Sequence, residues 1–310
     1  MRITKRGPRI WSVRLWWFFS FVSFFSFSVC SPFAIAQERL VLFGGGESPP
    51  KEAIELFSQW AGGTNAKVLL ISWASGNSSL EESSPKGLDG ANLQNALSSR
   101  KFTTEYLPYI EGKIEGAPPL SKMESPEVKK HFIEKQLAEA TGVFFSGGDQ
   151  NHIMDVLADP TLLQALTRAF RSGVPFSGTS AGTAIMSPLM LTGKEDLKSI
   201  DPLNNFLRPS LGFFREVILD QHFIVRQRQN RLLSALMSSR ETLGIGIDED
   251  AAISVIDSTE MQVIGENQVV VMEKTQNPKK FSIEILRGGD KYHLRKREII
   301  ERGSVSGQNS

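Results

Sequence analysis

Cysteine is almost absent from this chain: Cys30 is the only one in 310 residues. A chain cut after residue 36 therefore has none. That excludes disulfides, a cysteine metal site and a cysteine nucleophile. Charge of one sign is missing too. The net charge of +1 carries no nucleic-acid signature. The balance hides an asymmetry, because residues 1–36 hold no acid but do hold Arg2, Lys5, Arg6, Arg9 and Arg14; without those five charges the remainder carries −4. The apolar run that follows, Leu15 to Val29, is fifteen residues long and broken by serines, which is short for a bilayer span. Ala34-Ile35-Ala36 then fits an A-x-A cleavage site. The basic, apolar and small-residue order predicts a signal peptide over 1–36, a mature chain starting at Gln37 and a secreted or periplasmic location, off the membrane after cleavage. An uncleaved anchor and a lipid-modified Cys30 are the alternative readings. No repeat, low-complexity block or linker marks a second domain, so residues 37–302 are expected to form one α/β domain, with a disordered tail over 303–310.

What is present is an alternation. Leu40 to Phe43 is an apolar run ending in Gly44-Gly45-Gly46, followed by an amphipathic stretch from Lys51 to Trp60. Lys67 to Ser72 is a second buried strand, and Gly142 to Ser146 another that ends in Gly147-Gly148. Asn151 to Leu157 and Thr161 to Phe170 read as helices, separated by Pro160. Ala91 to Leu97 and Val128 to Ala140 are also helical in pattern, and Thr103 to Leu107 is a short strand. Strand, glycine turn and helix in succession predict an α/β fold, a mostly parallel sheet with helices on both faces. Ligands in such sheets sit at the carboxyl ends of the strands, so the Gly44, Gly147 and Gly178 turns should converge. Thr192 to Pro209 is polar with little periodicity. Glu216 to Asp220 and Gly244 to Ile247 read as strands, with a helix from Gln229 to Met237. Short β segments within Ala252 to Leu294 predict an antiparallel extension on one edge of the sheet.

Gly178-Thr179-Ser180-Ala181-Gly182 fits G-x-S-x-G between a short buried strand and a helix start, the setting of a nucleophile elbow. A plain strand-to-helix turn is the competing reading. A serine needs a base within hydrogen-bond reach and a group that orients the base. Of the four histidines, His131 and His152 sit within helical patterns and His293 in a basic stretch. His222 alone directly follows a strand. Asp220, Asp248, Glu249 and Asp250 are acids near strand ends. Arg226, Arg228 and Arg231 follow His222 closely, and their guanidinium forks suit carboxylates. A solvated basic helix face would show the same spacing.

The segments FSGGDQNHI, GTSAG, DQHFIVRQRQNRL and GIGIDED, in this order, resemble the cyanophycinases, which belong with dipeptidase E in one family of serine peptidases with a class I glutamine-amidotransferase-like, flavodoxin-like three-layer fold. The resemblance covers roughly Leu40 to the C-terminal strands. It implies Ser180 as nucleophile, His222 as base and Glu249 as the acid that orients it. It assigns Gln150, Asp220, Gln221, Arg226, Arg228 and Arg231 to the substrate pocket. The N–H groups of Ala181 and Gly148 are expected to form the oxyanion hole. No metal or organic cofactor is implied. The expected substrate is cyanophycin, a poly-aspartate with arginine on each β-carboxylate, released as β-Asp-Arg dipeptides. Other aspartyl or isoaspartyl peptides, or non-catalytic binding of acidic or arginine-rich polymers, are the alternatives. Family members commonly form dimers, so a homodimer is expected by analogy.

Overall fold

The computed structural model describes residues 36–71, 73–74, 103–106, 134–203, 206–277 and 280–303. The expected signal segment up to Ile35, the predicted helix over Ala91 to Leu97, the start of the one at Val128 and the tail from 304 lie outside the described residues. Described residues from Ala36 on belong to one compact unit.

The first strand, β1 (Arg39–Phe43), lies at the centre of the fold. Every residue in it from Leu40 to Phe43 is buried. Successive side chains of a strand point to opposite faces, and a strand apolar on both faces needs cover on both. Val41 and Phe43 pack with Ala53, Ile54 and Phe57 of α1 (Lys51–Trp60). Leu40 and Leu42 face the other way, into a core shared with Ile153, Leu162, Leu166 and Phe170. Those belong to α2 (Gln150–Val156) and α3 (Pro160–Arg171). Pro160 opens α3 rather than merely interrupting the chain: Asp159 caps the helix by accepting from the Thr161 N–H at 2.8 Å, and proline at the first helical position has no N–H to leave unpaired. The α3 stripe Leu162, Ala165, Leu166, Ala169 and Phe170 is buried at helical spacing.

Among the described residues the large sheet has nine strands in the order β15-β14-β11-β10-β1-β5-β4-β2-β3. Its parallel half is β1, β5 (Phe176–Thr179), β4 (Gly142–Phe145), β2 (Lys67–Ile71) and β3 (Thr103–Tyr106). Its antiparallel half begins where β10 (Ala251–Ile256) pairs β1, and continues through β11 (Glu260–Gly265), β14 (Lys291–His293) and β15 (Glu298–Glu301).

The expected single-edge extension is corrected here. A second sheet, ordered β13-β12-β9-β8, takes β12 (Val269–Lys274) and β13 (Phe281–Leu286) away from the first. Its other members are β8 (Val217–Gln221) and β9 (Leu243–Ile247), which pair in parallel. The reason is burial on two faces. Leu219, Ile245 and Val271 enter the main core, whereas Ile218, Val270 and Met272 pack on Leu232, Ala235 and Leu236 of α5 (Gln229–Ser238). A two-strand ribbon pairs β6 (Leu189–Leu191), just before the polar stretch Thr192 to Pro209, with β7 (Leu207–Pro209) at its end. Among the described residues no helix is long and apolar enough to cross a membrane.

Candidate active site

The carboxyl end of β1 gathers the site. Phe43 offers its carbonyl to the Ser180 N–H at 3.2 Å, and the next carbonyl, that of Gly44, accepts from the His222 N–H at 2.8 Å. One strand end thus holds the backbone of both residues, although they come from different sheets. Gly147, after β4, brings its turn to the same place: a Cβ there would sit 3.4 Å from the Ser180 Cβ. The three glycine turns converge as the α/β topology requires.

Ser180 sits between β5 and the short helix α4 (Ala181–Ala184) with φ 50 and ψ −111. A side chain there is strained, and such strain persists only where the surroundings enforce it. Here the enforcing contacts are close backbone approaches. A Cβ on Gly178 would fall 2.3 Å from the Gly182 carbonyl oxygen, and one on Gly182 would fall 2.3 Å from that of Phe145. Thr183, next to the elbow, is fully buried. Its Oγ1 lies 2.7 Å from the Phe43 carbonyl oxygen and 2.8 Å from that of Gly178, joining the turn to β1.

The Ser180 Oγ is 2.8 Å from His222 Nε2, and His222 Nδ1 is 2.5 Å from Glu249 Oε1. The other two acids of the Asp248-Glu249-Asp250 run have different work. Asp248 Oδ1 accepts from the N–H groups of Ile224 and Val225, fixing the chain just after His222. Asp250 accepts from the Ser48 N–H at 2.7 Å, on the turn after β1. Glu249 is held from behind by Asn267, whose Nδ2 donates to its carbonyl oxygen at 2.8 Å. His152 is exposed on α2, His293 accepts from the Lys296 N–H, and His131 lies outside the described residues.

Burial holds the His222 imidazole below its ordinary value; the Glu249 hydrogen bond opposes this, and the charges of Arg226 and Arg228 add to it. A neutral imidazole can take a proton from the serine hydroxyl at neutral pH. The N–H groups of Ala181, at the start of α4, and Gly148, in the turn facing the elbow, have no backbone partner among the described residues.

The pocket residues separate by burial. The Arg226 side chain is 52 % exposed and lies 3.6 Å from Glu249 through Nε. Arg228 is 13 % exposed; its Nη1 donates to the Gln221 carbonyl at 2.7 Å and its buried Nε has no hydrogen-bond partner among the described residues. Gln150 is buried and its Nε2 donates to the Leu191 carbonyl at 2.8 Å. Gln221 is buried at the end of β8.

Asp220 and Arg231 are the deepest of the residues expected to line the pocket: Asp220 is 0 % and Arg231 3 % exposed, and they pair with each other. Arg231 Nε and Nη2 reach Asp220 Oδ2 and Oδ1 at 2.8 and 2.5 Å, a two-pronged ion pair beneath the pocket. A buried charge requires such a partner. Glu195, which sequence reasoning passed over, lies 3.3 Å from Arg231 Nη1 and is as deeply buried. In the run Lys194-Glu195-Asp196 nothing distinguishes a buried acid from solvated neighbours.

Comparison with known proteins agrees with this architecture. The model of peptidase family S51 matches residues 118–263. A cyanophycinase from Nostoc sp. is 31% identical over 184 residues, an alignment covering 54% of this chain and 62% of that protein, so the chain spans under two thirds of that relative's length. A cyanophycinase from Geminocystis herdmanii is 31% identical over 240 residues, covering 76% of this chain and 81% of the relative. Among solved structures, a peptidase from an acI-B1 Actinobacterium superposes with a TM-score of 0.60 at 20% identity, covering 84% of this chain and 97% of that one, which establishes a shared fold. Together with the strand-end serine, the extended match to the Geminocystis protein leads to one assignment: the chain belongs to the cyanophycinase and peptidase E family, peptidase family S51.

Proposed function

We propose that this chain is an exported serine exopeptidase that hydrolyses cyanophycin to β-Asp-Arg dipeptides. One observation carries the reading: the unbroken hydrogen-bond line from Ser180 Oγ through the His222 ring to Glu249 Oε1. In this reading the Ser180 oxygen attacks the carbonyl carbon of a backbone amide and its proton passes to His222 Nε2. Glu249, bonded to Nδ1, fixes the tautomer and stabilises the imidazolium. The Ala181 and Gly148 N–H groups receive the negative oxygen of the tetrahedral intermediate. The C–N bond then breaks, and the proton on His222 leaves with the amine. Water, deprotonated by the same imidazole, attacks the ester on Ser180, releasing the new carboxylate and restoring the hydroxyl.

Recognition falls to the arginines that remain available. Arg228 is charged, two-pronged in shape and still 13 % exposed, which suits a substrate carboxylate. Arg226 stands beside Glu249 at the surface. Export rests on the N-terminal order of basic, apolar and A-x-A residues; the protein isolated from its host should begin at Gln37, and a cytosolic form retaining Met1 would refute that part.

The chemical core of the proposal is tested by a fluorophosphonate, followed by peptide mapping. The adduct should map to Ser180 and be lost in His222→Ala. An unlabelled protein, or an adduct elsewhere, would overturn the serine mechanism. Labelling at Ser180 with turnover of other isoaspartyl peptides but not of cyanophycin would keep the mechanism and replace the substrate.

A further inference from the structure

The buried charges under the pocket form a closed set. Asp220 and Glu195 supply two negative charges and Arg231 and Arg228 two positive ones, and all four are shielded from solvent or nearly so. Glu195 lies outside both the triad and the arginine-bearing segment, in the turn after β6. Its carboxylate is fully used. Oε1 accepts from the N–H groups of Thr192 at 2.5 Å and Gly193 at 3.2 Å; Oε2 accepts from Gly193 at 2.9 Å and from Arg231 Nη1 at 3.3 Å.

We infer that Glu195 is a positioning residue for Arg228, acting through Arg231 and Asp220 to keep the Arg228 guanidinium available for a carboxylate of the ligand. The inference rests on the peptidase reading above, which supplies a ligand bearing aspartyl carboxylates. Glu195 takes the Nη1 side of the Arg231 fork, which leaves the Nε and Nη2 side directed at Asp220. Asp220 Oδ1 is thereby committed to Arg231 Nη2 and to the Gln221 N–H, and Arg228 Nη1 approaches it only to 3.6 Å. Arg228 is left with a neutral carbonyl at 2.7 Å and a buried Nε that has no hydrogen-bond partner among the described residues. Burial and the neighbouring Arg231 push its guanidinium down to about 10, with Asp220 and Glu195 opposing, so it stays charged at neutral pH while lacking a full counter-charge. The same Glu195 turn contacts the other side of the pocket. The Leu191 carbonyl accepts from Gln150 Nε2 and the Thr192 carbonyl from Asn151 Nδ2, so one carboxylate braces both the arginine and the start of α2.

Glutamine is not a silent replacement at this position. Both oxygens of Glu195 accept, so an amide in either orientation sets its NH2 against a donor, either the guanidinium or the backbone N–H groups. It also removes one of the two negative charges, leaving Asp220 to serve both arginines.

The test measures calorimetric binding of the β-Asp-Arg dipeptide to the full chain, in wild type, Glu195→Gln, Arg228→Ala and the double variant. Fluorophosphonate labelling of Ser180 reports whether the reactive serine is intact. We expect Glu195→Gln to weaken dipeptide binding at least tenfold while labelling stays within about threefold. Arg228→Ala should give a similar loss, and the double variant should be no worse than Arg228→Ala, because residues acting through one another are not additive. Should Glu195→Gln fail to fold, Glu195→Asp, which keeps the charge but shortens the reach, carries the same comparison. Additive losses, unchanged binding in Glu195→Gln, loss of labelling in parallel with binding, or a wild type that does not bind the dipeptide would each overturn the inference. A wild type that binds the dipeptide yet neither labels at Ser180 nor releases dipeptide from polymer would defeat the peptidase reading and leave the Glu195 comparison intact.

Discussion

Ser180 holds a backbone conformation that a side chain disfavours, and its neighbours leave it no other. Strain of this kind costs about 1–3 kcal/mol per residue. Ser180→Gly should therefore abolish turnover and raise stability by roughly 1 kcal/mol, since glycine tolerates positive φ, while Ser180→Ala should abolish turnover with no such gain. Thermal melting of the three proteins side by side decides it; equal stabilities would mean the elbow is relaxed. The acids divide as sharply. Glu249→Gln should lower kcat on a soluble dipeptide-releasing substrate by several orders of magnitude, though by less than loss of the serine. Asp248→Asn should act mainly through stability and through the loop bearing Arg226, because its carboxylate accepts two N–H groups there. A larger kcat loss in Asp248→Asn or Asp250→Asn than in Glu249→Gln would reassign the acid.

At the scale of elements, the segment from β8 into α5 carries two arginines of opposite kind. Arg231→Ala strands the buried Asp220 carboxylate, and breaking such a pair costs about 3–5 kcal/mol. Its signature should be a lowered melting temperature. Arg228→Ala leaves the Asp220–Arg231 pair standing and should keep most of the stability while lowering kcat/KM on β-Asp-Arg polymer at least roughly tenfold. Arg228→Lys should recover little, since an ammonium lacks the fork. The reverse pattern, a stability loss in Arg228→Ala and a rate loss in Arg231→Ala, would exchange their roles. The strands and helices around this segment were legible because apolar runs, glycine turns and helical stripes are local. Sheet membership was not. The runs in β10 and β12 look alike along the chain, and only packing against β1 or against β9 and α5 sends them to different sheets. Burial was equally hidden: Arg226, Arg228 and Arg231 lie within six residues of one another, yet their side chains range from 52 % to 3 % exposed.

For the whole molecule, pH dependence follows from His222. Burial keeps its imidazole below the ordinary value of about 6.5, whereas the unfolded chain takes up a proton there. As pH falls below about 6.5 the unfolded state binds more protons than the folded one, so stability is lost on acidification through that window and is regained above it. The acid limb of kcat/KM should likewise lie below about 6.5. Arg228→Ala should move that limb to higher pH, because the arginine's charge opposes the imidazolium; a shift to lower pH would contradict the electrostatics. The site as a whole was legible in its chemistry and not in its support. Ser180, His222 and Glu249 stand in a sequence pattern that the fold brings within hydrogen-bond reach, and the Gly44 turn was expected beside them, but the Phe43 carbonyl that holds Ser180, and Glu195 behind Arg231, carry no sign of those roles along the chain. The central claim is that the assembled site cuts cyanophycin from an end, and product analysis by mass after incubation with purified polymer tests it most directly. The account predicts β-Asp-Arg dipeptide as the accumulating product from the earliest times, and none from Ser180→Ala. Intact polymer, larger internal fragments preceding any dipeptide, or dipeptide release that survives Ser180→Ala would contradict it.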